Sequence, residues 1–339
     1  MPDISPDTED LVAEIEALEE KLAEARSSIE RRFIGQERVV ELTLSALLCG
    51  GHGLLIGLPG LGKTRLVETL STVMGLSGNR IQFTPDLMPA DILGSEVLET
   101  AADGTRSFRF LQGPIFCQLL MADEINRASP RTQSALLQAM QEKVVTVAGE
   151  DRALGTPFHV LATQNPIEQE GTYPLPEAQL DRFLVQIDVV YPDRDTERNI
   201  LTATTGMVDD TAHAVFTADE LLKAQKLLRR MPVGETVVEQ ILDLVRACRP
   251  NDPSAAPKVR ETVNWGPGPR AAQALMMTVR ARAMLHGRLA PSTEDVLAMA
   301  RPVLIHRMGL NFAARARGDS LSDLIEATAV AVTRTEAAA

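Results

Sequence analysis

The chain has 339 residues, of which 45% are hydrophobic and 24% are charged. This length predicts about two domains with a sizeable core, and the composition is that of an ordinary globular protein. The formal net charge of -12 argues against a protein whose main ligand is the phosphate backbone of nucleic acid, although a local basic patch is compatible with an acidic total.

The cysteines and the apolar runs indicate the compartment. Cys49, Cys117 and Cys248 are widely spaced and form no C-x-x-C pair, which argues against a disulfide framework and against a zinc site. The amino terminus is acidic and lacks the basic and apolar regions of a signal peptide. No uninterrupted apolar run approaches the ~18 residues of a membrane-spanning helix. We therefore expect a cytoplasmic protein with reduced thiols and no membrane span.

Near the amino terminus, apolar residues recur at alternating steps of four and three, which is typical of an amphipathic helix. The repeat consists of Leu11, Ile15, Leu18, Leu22, Ala25 and Ile29. Because it is too short for a convincing heptad series, it favours a helix packed on its own domain over a coiled-coil dimer. Residues 1–32 are therefore predicted to form an amino-terminal helix. In the loop that follows, Ile34 and Gly35 are expected to pack against a nucleotide base.

The next apolar run, residues 53–56, breaks into glycines and ends on Lys63 and Thr64 before a helical pattern resumes. This is the pattern G-x-x-x-x-G-K-[ST] between a strand and a helix, which is far more specific than a glycine-rich turn with a solvated lysine. Lys63 would reach the β and γ phosphates, and the Thr64 hydroxyl would ligate Mg²⁺, inside a loop of inward-facing backbone N–H groups. The predicted nucleotide-binding residues are Gly57, Leu58, Pro59, Gly60, Leu61, Gly62, Lys63 and Thr64.

A second apolar run, residues 115–122, closes on Asp123 and Glu124. The two carboxylates would lie at the carboxyl end of a buried strand, where open α/β sheets bind their ligands. Asp123 is predicted to hold the Mg²⁺ shell through water, and Glu124 to polarise the attacking water as a base. Two acids at the end of a buried strand can also arise by chance, but the phosphate loop makes that reading the weaker one.

Three further segments, residues 80–83, 158–163 and 183–188, have the composition of strands. Turn residues at 102–104 and 148–151, each flanked by short extended runs, predict two hairpins. Asn165 follows the strand at 158–163, where its amide would orient a water or contact the γ phosphate. Because Asn before Pro is common turn chemistry, a role in a turn is the alternative for this residue.

From residue 195 onward, helical patterns are separated by Pro and Gly. Thr217 with Glu220 and Ser292 with Asp295 match the capping box that opens a helix. Residues 195–339 are therefore predicted to form a helical second domain.

Taken together, these motifs resemble those of the AAA+ ATPases, and within them the MoxR family. The resemblance extends from Gly35 to Arg182 and leaves out the helix before Glu30. It implies an α/β fold, in which an AAA+ P-loop domain with a parallel five-stranded sheet and inserted hairpins occupies residues 33–194. An all-α lid domain would follow at residues 195–339. The strings that carry the resemblance are residues 57–64, 80–89, 122–128, 133–137 and 162–179.

The same resemblance implies a ring, usually a hexamer, with ATP at the subunit interfaces. Asn165 would be sensor 1, Arg182 the arginine finger and Arg270 sensor 2, although Pro267 departs from the usual pattern of the family before that arginine. Members of the family are chaperone-like: they remodel or activate protein complexes, often help to insert metal cofactors, and commonly work beside a partner with a von Willebrand A domain.

Several alternatives remain open at the level of sequence. A helicase or clamp-loader type of nucleic-acid motor would share the ATP site, although the acidic composition disfavours it. A magnesium-chelatase subunit is a near relative that motifs do not separate. A GTP switch is disfavoured because the sequence has no N-K-x-D motif, and a transporter ATPase is disfavoured because residues 76–80 depart from the Leu-Ser-Gly-Gly-Gln signature. For Arg182, the alternative is a structural salt bridge with Asp181 or Glu177.

Overall fold

The computed structural model describes residues 6–100, 102–167, 171–205 and 211–337, with side chains from residue 14 to residue 334. The strands are β1 (Gly53–Gly57), β2 (Gly78–Gln82), β3 (Gly94–Thr100), β4 (Arg106–Gln112), β5 (Leu119–Asp123), β6 (Val144–Val147), β7 (Glu150–Ala153), β8 (His159–Gln164), β9 (Val185–Val189), β10 (Val263–Trp265) and β11 (Gly309–Leu310).

The helices alternate with these strands in the first half of the chain and dominate the second half. They are α1 (Pro6–Arg32), α2 (Glu37–Leu48), α3 (Lys63–Val73), α4 (Pro89–Leu93), α5 (Pro130–Glu142), α6 (Glu177–Leu180), α7 (Arg194–Thr204), α8 (Ala218–Arg230), α9 (Glu235–Ala247), α10 (Pro257–Thr262), α11 (Pro269–Leu285), α12 (Thr293–Leu304), α13 (Phe312–Arg317) and α14 (Leu321–Ala337). Short 3-10 helices occur at Ile125–Arg127 and Ile305–Arg307.

The central sheet has five parallel strands in the order β2-β5-β8-β1-β9. The five-stranded parallel sheet predicted by resemblance is therefore confirmed. The strands differ from the predicted segments mainly at their ends: β2 stops at Gln82, and Phe83 donates its N–H to the Asp123 carbonyl at 2.8 Å. β5 begins at Leu119, so that residues 115–118 lead into the strand and do not belong to it.

Both predicted hairpins are present, as the antiparallel pairs β3–β4 and β6–β7. Among the described residues, Arg152 is one side chain that connects them. The guanidinium of Arg152, on β7, lies 3.9 Å from the centre of the Phe110 ring on β4, within the range of a cation–π contact. The two hairpins therefore lie side by side.

The amino-terminal helix α1 packs on the rest of the chain, as its short apolar repeat predicted. Ile15, Leu22, Ala25 and Ile29 are buried in a core that α1 shares with α2, α3, α8 and α11. The first residue of the repeat, Leu11, lies outside the residues whose side chains are described.

The carboxyl-terminal half is helical, and both predicted capping boxes close on their helices, α8 and α12. It also contains a short antiparallel pair, β10–β11, that the helical patterns did not predict. These helices share one apolar core with one face of the sheet, whereas α5 packs in a second core on the other face.

A buried ion-pair network attaches the carboxyl-terminal helices to α2. Asp295 on α12 has no exposed surface and pairs with Arg282 at 2.6 Å and with Arg288 at 2.6 Å. Arg282 also pairs with Glu41 on α2 at 3.1 Å. Because a buried charge that loses its partner costs several kcal/mol, of order 3–5, this network fixes α11 and α12 relative to α2.

Two expectations from composition are tested directly. Cys49, Cys117 and Cys248 are buried free thiols. None of the helices in the described part of the chain is long and apolar enough to cross a membrane.

Candidate nucleotide-binding site

The predicted phosphate loop connects the end of β1 at Gly57 to the start of α3 at Lys63. Gly60 and Gly62 have φ of 82° and 75°, a conformation that glycine adopts without steric cost. A Cβ added to Gly57 would lie only 2.6 Å from the carbonyl oxygen of Val189 on β9, whereas one added to Gly60 would meet nothing within 4 Å. The loop thus passes close to the sheet at its start and is open at Gly60, as a cradle for a polyphosphate needs to be.

Lys63 lies folded over this loop. Its Nζ donates to the carbonyl oxygens of Gly57 at 2.5 Å and Leu58 at 2.8 Å. Burial lowers the pKa of Lys63, while the carboxylates of Asp123 and Glu124 act to raise it. The ammonium group is therefore in the field of both predicted acids, at the place where the motif predicted a phosphate.

Asp123 is held from two sides. Its Oδ1 accepts a hydrogen bond from the Thr163 hydroxyl at 2.6 Å, and its Oδ2 pairs with Arg80 at 2.6 Å. Thr163 lies on β8 and Arg80 on β2, the two strands that flank β5. The carboxylate is thereby fixed at the carboxyl edge of the sheet.

Glu124 has an unusual backbone, with φ of 56° and ψ of 49°. Non-glycine residues in this left-handed region cost of order 1 kcal/mol or more and cluster at functional sites. Its N–H donates to the Thr163 hydroxyl at 2.8 Å, while its Oε2 accepts from Gln82 at 2.7 Å and pairs with Arg127 at 3.0 Å. These contacts set the direction of the carboxylate.

Four residues that hold the two carboxylates were not predicted from the motifs: Arg80, Gln82, Arg127 and Thr163. A signal was present for two of them, because side chains two positions apart on a strand point to the same side, and Arg80 and Gln82 are the polar pair at the end of β2. Thr163 has no comparable signal, because its partner Asp123 is 40 residues away in the sequence. Arg127 has none either, because its pairing with Glu124 depends on a 3-10 turn.

Asn165 directly follows β8, between the ends of β5 and β1 in the sheet, and is 6% exposed. Its Oδ1 accepts the N–H of Ile167 at 3.2 Å. Asn165 therefore has the role in a turn that was the alternative for this residue. It also lies next to the phosphate loop, because Gln164 pairs with Ile56 at the end of β1. Residues 168–170, part of the string that carries the family resemblance, lie outside the described residues.

A cavity of about 440 Å³ adjoins the loop on its outer side. Its lining includes Ile34 together with Gly60, Leu61 and Gly62, and most of the lining surface is apolar. An apolar cleft beside a phosphate loop suits a nucleotide base. Gly35 does not line the cavity; a Cβ there would lie 2.1 Å from the Thr196 side chain on α7, so that this glycine lets the loop approach α7. The remaining lining residues are Arg32, Phe33, Gln36, Arg65, Tyr191, Pro192, Glu197, Ile200, Leu201 and Thr204.

Arg182 and Arg270 lie close to each other and away from the phosphate loop. Both line a second cavity of about 200 Å³, together with His52, which immediately precedes β1. The phosphate loop starts at the opposite end of β1, five residues further along, which corresponds to about 16 Å of extended strand. The structure thus brings Lys63, Thr64, Asp123, Glu124 and Asn165 to one edge of the sheet and the two arginines to the other.

The alternative of a salt bridge from Arg182 to Asp181 or Glu177 is not observed among the described residues. Asp181 pairs instead with Arg307 at 2.7 Å and with Arg270 at 3.6 Å.

Within the described residues, no group of three or more His, Cys, Asp or Glu side chains is arranged to hold a metal. The two oxygen donors that the motifs predict for a cation are Thr64, in the first turn of α3, and Asp123, at the end of β5. Such a sparse set fits Mg²⁺, which commonly takes one or two protein oxygens and completes its shell with phosphate oxygens and water.

Comparisons with known proteins agree with this geometry. The model of the ATPase family associated with various cellular activities (AAA) matches residues 52–185, and the model of the AAA lid domain matches residues 255–328. The crystal structure of a protein from Cytophaga hutchinsonii described as a candidate ATPase superposes with a TM-score of 0.87 at 34% identity. That comparison covers 96% of this chain and 98% of the other.

Relatives found by sequence identify the family within the ATPases. The Chaperone MoxR1 of Mycobacterium tuberculosis is 39% identical over 94% of this chain and 80% of its own length. Protein MoxR of Paracoccus denitrificans is 30% identical over 89% of this chain and 92% of its own length. Fold, phosphate loop and lid define a nucleotide-binding ATPase of the AAA+ class. The chain belongs to the MoxR family of that class.

The Thr163 hydroxyl bonds both Asp123 and Glu124, and we therefore expect it to stabilise this part of the fold. Thr163→Val should leave the Asp123 carboxylate and the Glu124 N–H each short of a partner, which costs about 1–3 kcal/mol for a buried polar group. Urea denaturation measures this loss, and hydrogen exchange should show faster exchange at the Glu124 amide. Thr163→Ser, which keeps the hydroxyl, is the matched control and should retain the protected amide. Equal amide protection in the two variants would contradict the assignment.

Proposed function

We propose that the chain is a Mg²⁺-dependent ATP hydrolase that acts as a ring, with ATP at the subunit interfaces, to remodel or activate protein complexes. The observation that carries the proposal is the adjacency of the phosphate loop, Asp123, Glu124 and Asn165 at the ends of β1, β5 and β8. Bound Mg²⁺ would neutralise charge on the phosphate oxygens, with the Thr64 hydroxyl as a ligand and Asp123 holding the Mg²⁺ shell through water.

The residues divide the chemistry between them. Lys63 and the loop amides bind the phosphates, and the apolar cavity beside Ile34 receives the base. Glu124, held by Gln82 and Arg127, accepts a proton from the attacking water, and Asn165 orients that water or the γ phosphate. Lys63 acts on the ground state, whereas Glu124 acts on the reaction step.

The location of Arg182 and Arg270 supports a shared site. They lie at the sheet edge opposite to the phosphate loop of their own subunit, too far to reach its nucleotide without rearrangement of the sheet. In a ring, that edge of one subunit would meet the nucleotide edge of the next. Arg182 would then serve the neighbour as an arginine finger, and Arg270 would act beside it as sensor 2.

A protein client is supported by the hairpin β3–β4. Leu98 and Phe108 face each other across the two strands and are 52% and 71% exposed. Exposed apolar pairs of this kind are typical of protein contact sites. The chaperone name of the Mycobacterium tuberculosis relative points the same way. A partner with a von Willebrand A domain and a part in metal-cofactor insertion belong to the proposal through family resemblance.

The first test separates binding from hydrolysis. Lys63→Ala should weaken ATP affinity roughly 10- to 100-fold, since it removes charge-assisted bonds to the phosphates. Glu124→Gln should bind ATP as the unaltered protein does and lose about 10²- to 10⁴-fold in turnover. Fluorescent-nucleotide titration and phosphate release measure the two quantities. Hydrolysis by Glu124→Gln at the unaltered rate would refute the role of Glu124.

The second test identifies the client. Glu124→Gln rings loaded with ATP should retain their partners, which pull-down and mass spectrometry then identify. Lys63→Ala, at an ATP concentration that saturates Glu124→Gln but not this weaker-binding variant, is the matched control and should recover far less of them. A client with a von Willebrand A domain companion would support the proposal. Recovery of DNA or RNA without any protein client would move the function to a nucleic-acid motor.

The third test concerns the shared site. Arg182→Ala should bind ATP but lose about 10³- to 10⁵-fold in turnover, as measured for arginine fingers. Mixing it with Lys63→Ala, inactive for a different reason, should restore activity, because the intact Arg182 of one chain then serves the intact phosphate loop of the other. Differently tagged chains confirm that the rings are mixed. Absence of rescue in mixed rings would show that Arg182 does not act on a neighbour.

A further inference from the structure

Arg307 is an almost fully buried arginine, 4% exposed, in the 3-10 helix Ile305–Arg307 that follows α12. Its guanidinium points into the segment that contains Arg182. The Nε donates to Asp181 Oδ1 at 2.7 Å, Nη2 to the Phe183 carbonyl at 2.7 Å, and Nη1 to the Leu184 carbonyl at 3.0 Å. Arg182 is therefore flanked on both sides by residues that Arg307 holds.

The remaining N–H groups of Arg307 are also used. Nη1 donates to the Val303 carbonyl at 2.6 Å, and Nη2 makes a longer contact of 3.4 Å with the Asp181 carbonyl. The neighbouring His306 hydrogen-bonds the Phe183 carbonyl through Nε2 at 3.0 Å. A buried charge is costly unless it is paired and hydrogen-bonded. The five-donor fork of arginine satisfies this requirement in a way that the single ammonium of lysine would not.

Asp181 connects this arrangement to the second arginine of the cavity. While Oδ1 accepts from Arg307, Oδ2 faces Arg270 at 3.6 Å. Arg270 lies in the first turn of α11. One carboxylate is thus shared by two arginines of the helical half, and it stands directly beside Arg182 in sequence.

We propose that Arg307 is a positioning residue that fixes the segment carrying Arg182, so that the lid of one subunit determines where that subunit presents its arginine finger to the next. The inference rests on the proposed action of Arg182 on a neighbouring subunit. Through Asp181, the same contacts orient Arg270. Arg307 itself touches neither nucleotide nor water in this scheme.

The experiment uses mixed rings in which the donor and the recipient of the finger are different chains. The reference mixture is Lys63→Ala as donor with Arg182→Ala as recipient. Arg307→Lys, which keeps the positive charge but loses the fork, is then added either to the donor or to the recipient. On the donor it should lower the restored turnover by about 10- to 100-fold, the loss expected when a catalytic group is displaced by about 1 Å. On the recipient it should leave the restored turnover close to that of the reference mixture.

The recipient arrangement distinguishes positioning from general damage, because a chain that folds or assembles poorly would fail in both arrangements. A matched control is Arg301→Lys on the donor. Arg301 also joins the helical half to the sheet, through an ion pair with Asp188 on β9, and its hydrogen bonds and ion pairs go to Asp188, Ser322 and Glu326 rather than to residues 181 to 184. It should preserve rescue. The ATP affinity of each mixture, measured by nucleotide titration, should not change.

The outcomes distinguish the role of Arg307 from the proposed action of Arg182 on a neighbouring subunit. Loss of rescue on the donor side alone supports the role of Arg307. Equal rescue in both arrangements, or equal loss in both, overturns it while the proposed function stands. If the reference mixture itself shows no rescue in rings shown to be mixed, the shared site is refuted, and the role of Arg307 is refuted with it.

Discussion

The parallel pairing of β5, β8 and β1 is the constraint on which the candidate site depends. Because the three strands lie in register and run in the same direction, their carboxyl ends form one edge. The Thr163 hydroxyl links two of these ends, since it donates to Asp123 and accepts from the Glu124 amide. A shift of β8 by one residue would turn Thr163 to the other face of the sheet and remove its hydroxyl from Asp123 and Glu124.

In the proposed ring, the two edges of the sheet would carry complementary halves of one site. The phosphate loop and the acids lie at the carboxyl edge, and Arg182 with Arg270 at the amino edge. Within one subunit the two sets of residues lie at opposite ends of the strands, whereas neighbouring copies in a ring could bring them together. This separation supplies a physical reason for the closed assemblies in which AAA+ ATPases usually act: a head-to-tail interface repeats the same contact at each subunit.

The helical half is attached to the sheet through buried charges as well as through apolar packing. The network of Glu41, Arg282 and Asp295 ties it to α2, and Arg307 ties it to the segment that carries Arg182. Buried ion pairs have strict geometric requirements, so movement of the lid would be passed to the residues they hold rather than absorbed. These contacts join the lid to the segment that carries Arg182, while hydrogen bonds from Val215 and Phe216 to the Val73 carbonyl join the helical half to α3.

The sequence by itself determined those features that depend on local chemistry. The phosphate loop, the Asp123 and Glu124 pair, the two hairpins and the capping boxes at Thr217 and Ser292 follow from short spacings, because glycine conformation, strand alternation and helix capping act over a few residues. Helical patterns also predicted a helical second domain from residue 195 onward, and family resemblance added the five parallel strands and the reading of that domain as a lid. The order of the strands came only from the tertiary structure. Only the tertiary structure decided that Arg80, Gln82 and Thr163 hold the two acids. It alone also decided that Arg182 and Arg270 share a cavity. The same holds for the hydrogen bonds from Arg307 to residues 181, 183 and 184. These contacts join residues from 40 to more than 120 positions apart, and their partners are chosen by packing of the whole chain, which no local pattern records.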